Sequence, residues 1–346
     1  MRDLVVIVST MLAVAAGDRE RIRYGFYRGS GAGEIGTSGA ETELYTRRVF
    51  GGEAAELDMF PAVCALLDRY WSTRCSCAVV STRWALTAAH CVSPRIAYVK
   101  YNARRPSSPD GDVAPVHYLY RHPGYKVIQE DEGRGMDVTL LHHDVGLVRT
   151  RVDMVLNSQP KTDPLHAMRL YNPVDLKNER VKVLGFGRTE RLLLGEELFV
   201  VQLQLVFCER GAWFHCVCGV ATGRDPRGVC SGDSGGPVIH NGAQVGVTSM
   251  GPMECMAISG PAIITGGGGN ATVEPPASLQ APASGATSVF TSLYNYADLI
   301  NATIHDTERA LRMRMISAAA RPYDTRAVPT LAMLASRVAF LLMPER

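Results

Sequence analysis

A serine set among glycines is the residue in this chain best placed to do covalent chemistry. The string Gly232-Asp233-Ser234-Gly235-Gly236-Pro237 lets the backbone come close to a bound molecule and aim N–H groups at it. A serine hydroxyl is a weak nucleophile at neutral pH, so it needs an adjacent base and donors for the oxyanion that its attack creates. Leu86-Thr87-Ala88-Ala89-His90-Cys91 offers that base. The imidazole stands at the end of an apolar strand, between small alanines and a cysteine able to fix its position.

Other chemistries find less support. Nine cysteines lie between Cys64 and Cys255, but Cys75-Ser76-Cys77 and Cys216-Val217-Cys218 are too tightly spaced for a usual zinc knuckle, and no HExxH occurs. The doublet His142-His143 could bind a metal, yet reads more simply as part of a solvated loop. Nothing indicates a cofactor, and the acidic spacing of a calcium loop is not evident. A formal net charge of +2 is too small to argue for nucleic acid or a membrane surface as partner.

The elements that must position these groups are short strands. Pro61–Leu67, Ala78–Val80, Ala85–Thr87, Val181–Gly185, Phe199–Val206 and Gln244–Thr248 are apolar runs, several alternating with period two and many β-branched. Repeated runs of this kind argue for an all-β antiparallel barrel or sandwich. After Phe290 the pattern turns helical from Leu293 through Leu311. Residues 257–288, with four consecutive glycines at 266–269 and Pro275-Pro276, read as a long surface loop.

The two ends differ from this middle. Arg2, an apolar run from Leu4 to Val14 and the small residues Ala13, Ala15 and Ala16 have the makeup of a signal peptide over residues 1–16, too short for a stable membrane span. Entry into the secretory pathway makes disulfides the natural state of the cysteines, and an odd number leaves at least one without an internal partner. Residues 17–48 are polar and glycine-dotted, with too little apolar surface to offset their ordering entropy. The last 40 or so residues carry an apolar patch, Leu331–Leu334 to Leu341–Met343, interrupted by Arg337, which reads as an amphipathic helix.

The serine and histidine strings together resemble the signatures of the trypsin/chymotrypsin family of serine proteases, in the order histidine, aspartate, serine. The resemblance covers residues 49–305 and implies two packed six-stranded antiparallel β-barrels with the active site between them and a C-terminal helix. Residues 257–288 are then an inserted loop and 306–346 an extension of unassigned role. The implied reaction is peptide-bond hydrolysis through an acyl-enzyme. Ser234 attacks, His90 takes and returns the proton, and the N–H groups of Gly232 and Ser234 form the oxyanion hole. Two aspartates fit the third place. Asp144-Val145-Gly146-Leu147-Val148 and Asp137-Val138-Thr139-Leu140-Leu141 both resemble the family pattern. The distance forward to Gly185-Phe186-Gly187 favours Asp144, with Asp137 as the alternative.

The resemblance carries further. Arg48-Val49-Phe50-Gly51-Gly52 is similar to the family's activation site, so residues 17–48 become a propeptide. Cleavage after Arg48 would free the Val49 amine to pair with the Asp233 carboxylate. Cys75–Cys91, Cys208–Cys218 and Cys230–Cys255 match family disulfides. Cys64 and Cys77 are additional and could join neighbouring strands, which leaves Cys216 as the odd thiol. The primary pocket falls at Gly228, with Ser249-Met250-Gly251 binding substrate backbone and Ser288 on the far wall. Without a carboxylate at Gly228 an apolar side chain is the implied preference, although Asp225 lies close by. Sequons at Asn270 and Asn301 add expected glycosylation. The expected partners are protein or peptide substrates, a trypsin-like activating protease and protein inhibitors, in the extracellular space. The alternative is a catalytically impaired relative acting as a binding or regulatory protein.

Overall fold

The structure, a computed structural model, describes residues 52–131, 136–187, 197–222, 227–251 and 287–318. The expected signal peptide and propeptide, Arg48, Val49, Asp225, Cys255, the glycine-rich loop with Asn270, and the chain beyond residue 318 lie outside the described residues.

Seventeen strands follow one another in the described residues. The first nine are β1 (Glu53–Ala54), β2 (Val63–Asp68), β3 (Thr73–Ser81), β4 (Trp84–Thr87), β5 (Ile96–Tyr101), β6 (Asp112–Arg121), β7 (Lys126–Asp131), β8 (Met136–His142) and β9 (Gly146–Thr150). A short helix α1 (Pro164–Ala167) lies in the connection to β10 (Arg180–Gly185), β11 (Phe199–Val206), β12 (Trp213–Phe214), β13 (Cys216–Val220), β14 (Pro237–His240), β15 (Ala243–Met250) and β16 (Ser288–Ser292). Helix α2 (Ala297–His305) and strand β17 (Arg314–Ala318) complete the order.

Two closed antiparallel barrels result. The first runs β5-β2-β3-β4-β9-β6 and closes by the β5–β6 pairing; β17 adds to its β6. The second runs β11-β10-β14-β15-β16-β13 and closes by β11–β13, with β1 added to β11. A third, small sheet sets the β7–β8 hairpin beside β12.

Patterning explains which strands go where. β11 alternates: Phe199, Val201, Leu203 and Leu205 are buried, while Gln202 faces out, the signature of one buried face. β2 has no polar face between Val63 and Leu67, and every one of its residues is buried. Cys64 and Leu66 point into the first barrel, whereas Val63, Ala65 and Leu67 pack with Leu184, Phe186 and Leu198 against the second. This strand therefore belongs to both hydrophobic layers. Truncating Leu66 or Leu67, both fully buried, would cost about 2–5 kcal/mol.

The helical stretch ends earlier than the sequence pattern suggests. α2 stops at His305 because Asp306 adopts a left-handed conformation (φ 55°) and its N–H bonds the Ala302 carbonyl, a common way to end a helix. Arg309–Leu311 forms only one 3-10 turn. The chain then returns to the first barrel, where the Met313 N–H donates to Thr303 Oγ1 at 2.9 Å. The segment assigned to an extension thus contributes a strand as far as Ala318. Among the described residues no helix is long and apolar enough to cross a membrane.

Candidate active site

His90 sits on a 3-10 turn, Ala89–Cys91, directly after β4. Ala88 and Ala89 are fully buried, and Cys91 is tied to Cys75 on β3, so the turn is held from both sides. Asp144 lies between β8 and β9, 1% exposed. Its Oδ1 accepts the His90 backbone N–H at 2.9 Å, and its Oδ2 lies 2.8 Å from His90 Nδ1. A buried carboxylate holding both the backbone and the ring of a histidine fixes the imidazole's orientation and leaves Nε2 directed away from the acid.

The electrostatics of the pair are mutual. Burial alone would lower the imidazole pKa, but the charge and hydrogen bond of Asp144 outweigh it and hold His90 above its ordinary 6.5. Burial would raise the Asp144 carboxyl; the facing His90 and hydrogen bonds from His90 and Ser249 hold it below the ordinary carboxylate range. About a third (33%) of the His90 side chain remains exposed, on the cleft side.

Asp137, the other aspartate that fits the family pattern, is placed elsewhere. It lies on β8 and pairs with Arg210 at 2.6 Å. The contact with His90 belongs to Asp144. The doublet His142-His143 also departs from the solvated-loop reading. His143 stacks on His122 (ring centroids 4.1 Å apart), and its Nδ1 lies 2.9 Å from Tyr296 Oη.

Ser234 occupies a turn that glycine alone permits. Gly232 and Gly235 have φ of 102° and 80°, in the region that favours glycine. A side chain at Gly235 would meet Thr87 Oγ1 at 2.0 Å. Gly235 N–H donates to the Thr248 carbonyl, and Gly236 N–H to the Asp233 carbonyl. Ser234 joins His90, Asp144, Ser249, Met250 and Gly251 in lining a cleft of about 300 Å³. Among the described residues no hydrogen bond joins Ser234 Oγ to His90; His90 Nε2 lies 3.7 Å from Cys91 Sγ. Catalytic contacts of this type commonly tighten only with substrate bound.

Asp233 is 1% exposed. Its carboxylate accepts N–H groups from Gly187 at 2.9 Å and Cys230 at 2.8 Å, and among the described residues no cationic side chain pairs with it. Burial pushes its pKa up to about 6 despite those two donors. Gly185 and Gly187 make the room, since a Cβ at either would lie within 2.5 Å of Asp233 Oδ1.

The residues expected to form the primary pocket fall together but are tightly packed. Gly228 and Ser288 are buried, and Ser288 Oγ accepts the Val229 N–H at 3.0 Å. Ser249 Oγ lies 2.9 Å from Thr291 Oγ1. Gly251 passes close to Val229: a Cβ there would lie 2.0 Å from the Val229 carbonyl oxygen. Three disulfides are present in full, Cys64–Cys77, Cys75–Cys91 and Cys208–Cys218, and Cys230 is also disulfide-bonded. Cys64 and Cys77 stand directly opposite each other on β2 and β3. Cys216 is a free thiol, and burial pushes its pKa up to about 12.

Sequence reasoning missed Ser76. Its hydroxyl donates to the Gly232 carbonyl at 2.9 Å and accepts the Phe186 N–H at 3.0 Å. Its own N–H donates to the Ser234 carbonyl at 2.9 Å. A signal was available. Cys75 and Cys77 point into the first barrel, so period-two alternation turns the polar residue between them toward the second barrel. There Ser76 ties β3 to both residues expected to form the oxyanion hole.

Comparison with known proteins places this architecture. The model of the Trypsin family matches residues 49–266. Kallikrein-2 of Homo sapiens is 28% identical over 250 residues, covering 67% of this chain and 89% of that protein. Trypsin alpha of Drosophila melanogaster is 27% identical over 217 residues, covering 59% and 77%. Among solved structures, mouse neuropsin, a serine protease expressed in the limbic system of the brain, superposes with a TM-score of 0.51 at 21% identity, over 73% of this chain and 98% of that one.

Proposed function

Because the chain belongs to the trypsin family, we propose that it is a secreted serine endopeptidase, made as a precursor and activated by cleavage after Arg48. The observation that carries the reading is the buried Asp144 carboxylate 2.8 Å from His90 Nδ1, beside a cleft that Ser234 also lines.

In the proposed reaction Asp144 holds His90 with its Nδ1 protonated, so that Nε2 is the free base. Ser234 Oγ adds to the substrate carbonyl carbon as its proton passes to His90 Nε2. The carbonyl oxygen takes the negative charge and is stabilised by the N–H groups of Gly232 and Ser234. When the C–N bond breaks, the His90 proton goes to the leaving amine. Water then repeats the sequence on the acyl-enzyme and regenerates Ser234.

Asp233 is the proposed switch. A buried carboxylate met only by backbone donors is poorly stabilised as an anion, and a charged amine from Val49 would supply the missing partner. The pairing would order the turn that carries Gly232 and Ser234. Gly228 offers no charge for a basic side chain, so an apolar residue is the proposed primary preference. Residues 1–16 act as signal peptide and 17–48 as propeptide, with Asn270 and Asn301 as glycosylation sites. Partners are protein or peptide substrates, a trypsin-like activator and protein inhibitors.

The test is covalent labelling. Secreted protein is treated with a trypsin-like activator and then with a fluorophosphonate probe, with Ser234→Ala as control. Labelling that appears only after cleavage at Arg48 is expected. No labelling under any condition would refute the enzyme reading in favour of a binding homologue, and a peptide library on the labelled form reads the pocket.

A further inference from the structure

Three histidines gather around the turn that carries Asp144, and the proposed reaction uses none of them. His122 follows β6, His143 precedes Asp144, and His215 stands between β12 and β13. The His122 and His143 rings are stacked, centroids 4.1 Å apart and planes within 12°. The His143 and His215 centroids are 6.1 Å apart. Tyr296, 2% exposed, stands edge-on to all three, at 5.5 Å from His122, 5.9 Å from His143 and 5.5 Å from His215. Phe214 packs against His143 and His215.

The cluster is built for neutral rings. His122 Nδ1 accepts the Gly124 N–H at 3.0 Å, and His215 Nδ1 accepts from the Asn295 side-chain amide at 3.0 Å. His143 Nδ1 lies 2.9 Å from Tyr296 Oη. A ring nitrogen that accepts a hydrogen bond carries no proton, so a proton added at His122 or His215 Nδ1 would set N–H against N–H. No anion waits to receive the charge: among the described residues no carboxylate pairs with any of the three rings. Of the charged groups on the surrounding elements, Asp144 is engaged by His90, Arg121 of β6 by the Val92 carbonyl, and Asp137 of β8 by Arg210. Lys126 of β7 is the register partner of His142, whose ring centroid lies 6.0 Å from that of His143. Burial keeps the remaining titratable neighbours, Cys216, Tyr125 and Tyr296, in their neutral forms.

These residues also hold the turn that aims Asp144. The His122 N–H donates to the Val145 carbonyl at 3.1 Å, and the Val145 N–H donates to the His143 carbonyl at 2.8 Å. The Asp144 backbone is thus pinned on both sides. His143 has φ 51° and His215 φ 56°, left-handed values that a residue other than glycine keeps only where its surroundings over-determine them. Burial and the neighbouring imidazoles push the His122 pKa down to about 4 and hold His143 below the ordinary 6.5; burial does the same to His215. A folded-state pKa below the unfolded one means that the packed cluster binds protons less readily than the opened one. The packing is therefore complete above about pH 6.5 and weakens as pH falls below it.

We propose that His122, His143 and His215, ringed around Tyr296, are positioning residues for Asp144 that release it when they take up protons, so that mild acid opens the catalytic turn cooperatively and reversibly. The effect on catalysis rests on the serine endopeptidase reading, and the test separates the two.

Opening is read without catalysis by amide hydrogen exchange in the full Ser234→Ala chain, corrected for the pH dependence of the chemical exchange step. Between pH 6.5 and 5.5 the His122 and Val145 amides should open about a hundredfold more readily, the product of roughly fivefold for each of three imidazoles. Amides of β11, in the second barrel, should not follow. Asparagine tolerates left-handed backbone, and its side-chain oxygen can accept the bond that Nδ1 accepted. His122→Asn with His143→Asn and His215→Asn should therefore abolish the pH dependence. Should that variant fail to fold, His122→Asn alone should reduce the dependence about fivefold. In the chain cleaved after Arg48, with an internally quenched peptide as substrate, log(kcat/KM) should fall with a slope of about one where only His90 titrates. The slope should steepen to about two or more below about pH 5.5, and activity should return on readjustment to neutral pH. The asparagine variant should keep a slope of about one whatever its rate at neutral pH. A change in opening of less than about threefold would overturn the release, as would β11 amides that respond equally or an asparagine variant that opens like wild type. A slope of one down to pH 4.5 in wild type would overturn the link to Asp144. Opening as expected without hydrolysis at any pH would support the release and refute the protease reading.

Discussion

The proposed activation switch makes a quantitative statement about stability. In the uncleaved chain Asp233 is buried with a pKa pushed up to about 6, against an ordinary value of 3.8. A folded-state pKa above the unfolded one means that the native protein binds this proton more tightly. The stabilisation is therefore complete below about pH 4 and is lost as pH rises through 6. The shift of about two units corresponds to about 3 kcal/mol, roughly half of it lost between pH 5 and 7.5. Asp233→Asn removes the ionisation. The asparagine oxygen can still accept the Gly187 N–H, but its amide nitrogen cannot accept from Cys230, an offset of about 1 kcal/mol that is the same at both pH values. Urea unfolding of uncleaved wild type and variant, followed by indole fluorescence, should show wild type losing about 1.5 kcal/mol relative to the variant on going from pH 5 to pH 7.5. After cleavage at Arg48 an amine partner would hold the Asp233 carboxyl at or below its ordinary range, so the loss of wild-type stability between pH 5 and 7.5 should largely vanish. Parallel pH dependences before cleavage would refute the buried-charge argument. Retention of the full wild-type loss between pH 5 and 7.5 after cleavage would refute the pairing.

Asp144→Asn should lower kcat by about ten-thousandfold through loss of the correct imidazole tautomer, while Asp137→Asn, which loses only a surface pair with Arg210, should leave it within about twofold; steady-state kinetics on the activated chain distinguishes them. Since Asp144 raises the His90 pKa, and His90 must be neutral to act as base, the acid limb of kcat/KM should lie above pH 6.5 in a pH–rate profile. Ser76→Ala strands the Phe186 N–H and releases the Gly232 carbonyl, so it should cost about 1–3 kcal/mol in urea unfolding and lower kcat more than it alters KM. With its pKa pushed up to about 12, the Cys216 thiol should react with iodoacetamide at pH 8 far more slowly than the same thiol in urea, read by mass spectrometry.

What the sequence determined by itself was local. Alternation in β11, the unbroken apolar run of β2, the glycines around Ser234 and the small residues before His90 each specify a conformation over a few neighbours, and such patterns are readable without the fold. They sufficed for an all-β antiparallel barrel or sandwich and for the family resemblance, and it was the resemblance that implied two barrels. The helix was read too long, because one left-handed residue, Asp306, ends it where composition alone does not. Which aspartate meets His90 was left open by pattern, since both strings had the right types. It took the pairing of β4 with β9 to bring together residues 54 positions apart, while β8 and Arg210 engaged the other. The bonds of Ser76 to Gly232, the stacking of His122 on His143 and the close approach of Gly251 to Val229 have the same origin. Each joins residues distant in sequence that meet only once the strands are paired and the turns between them are placed, and local pattern carries no record of that.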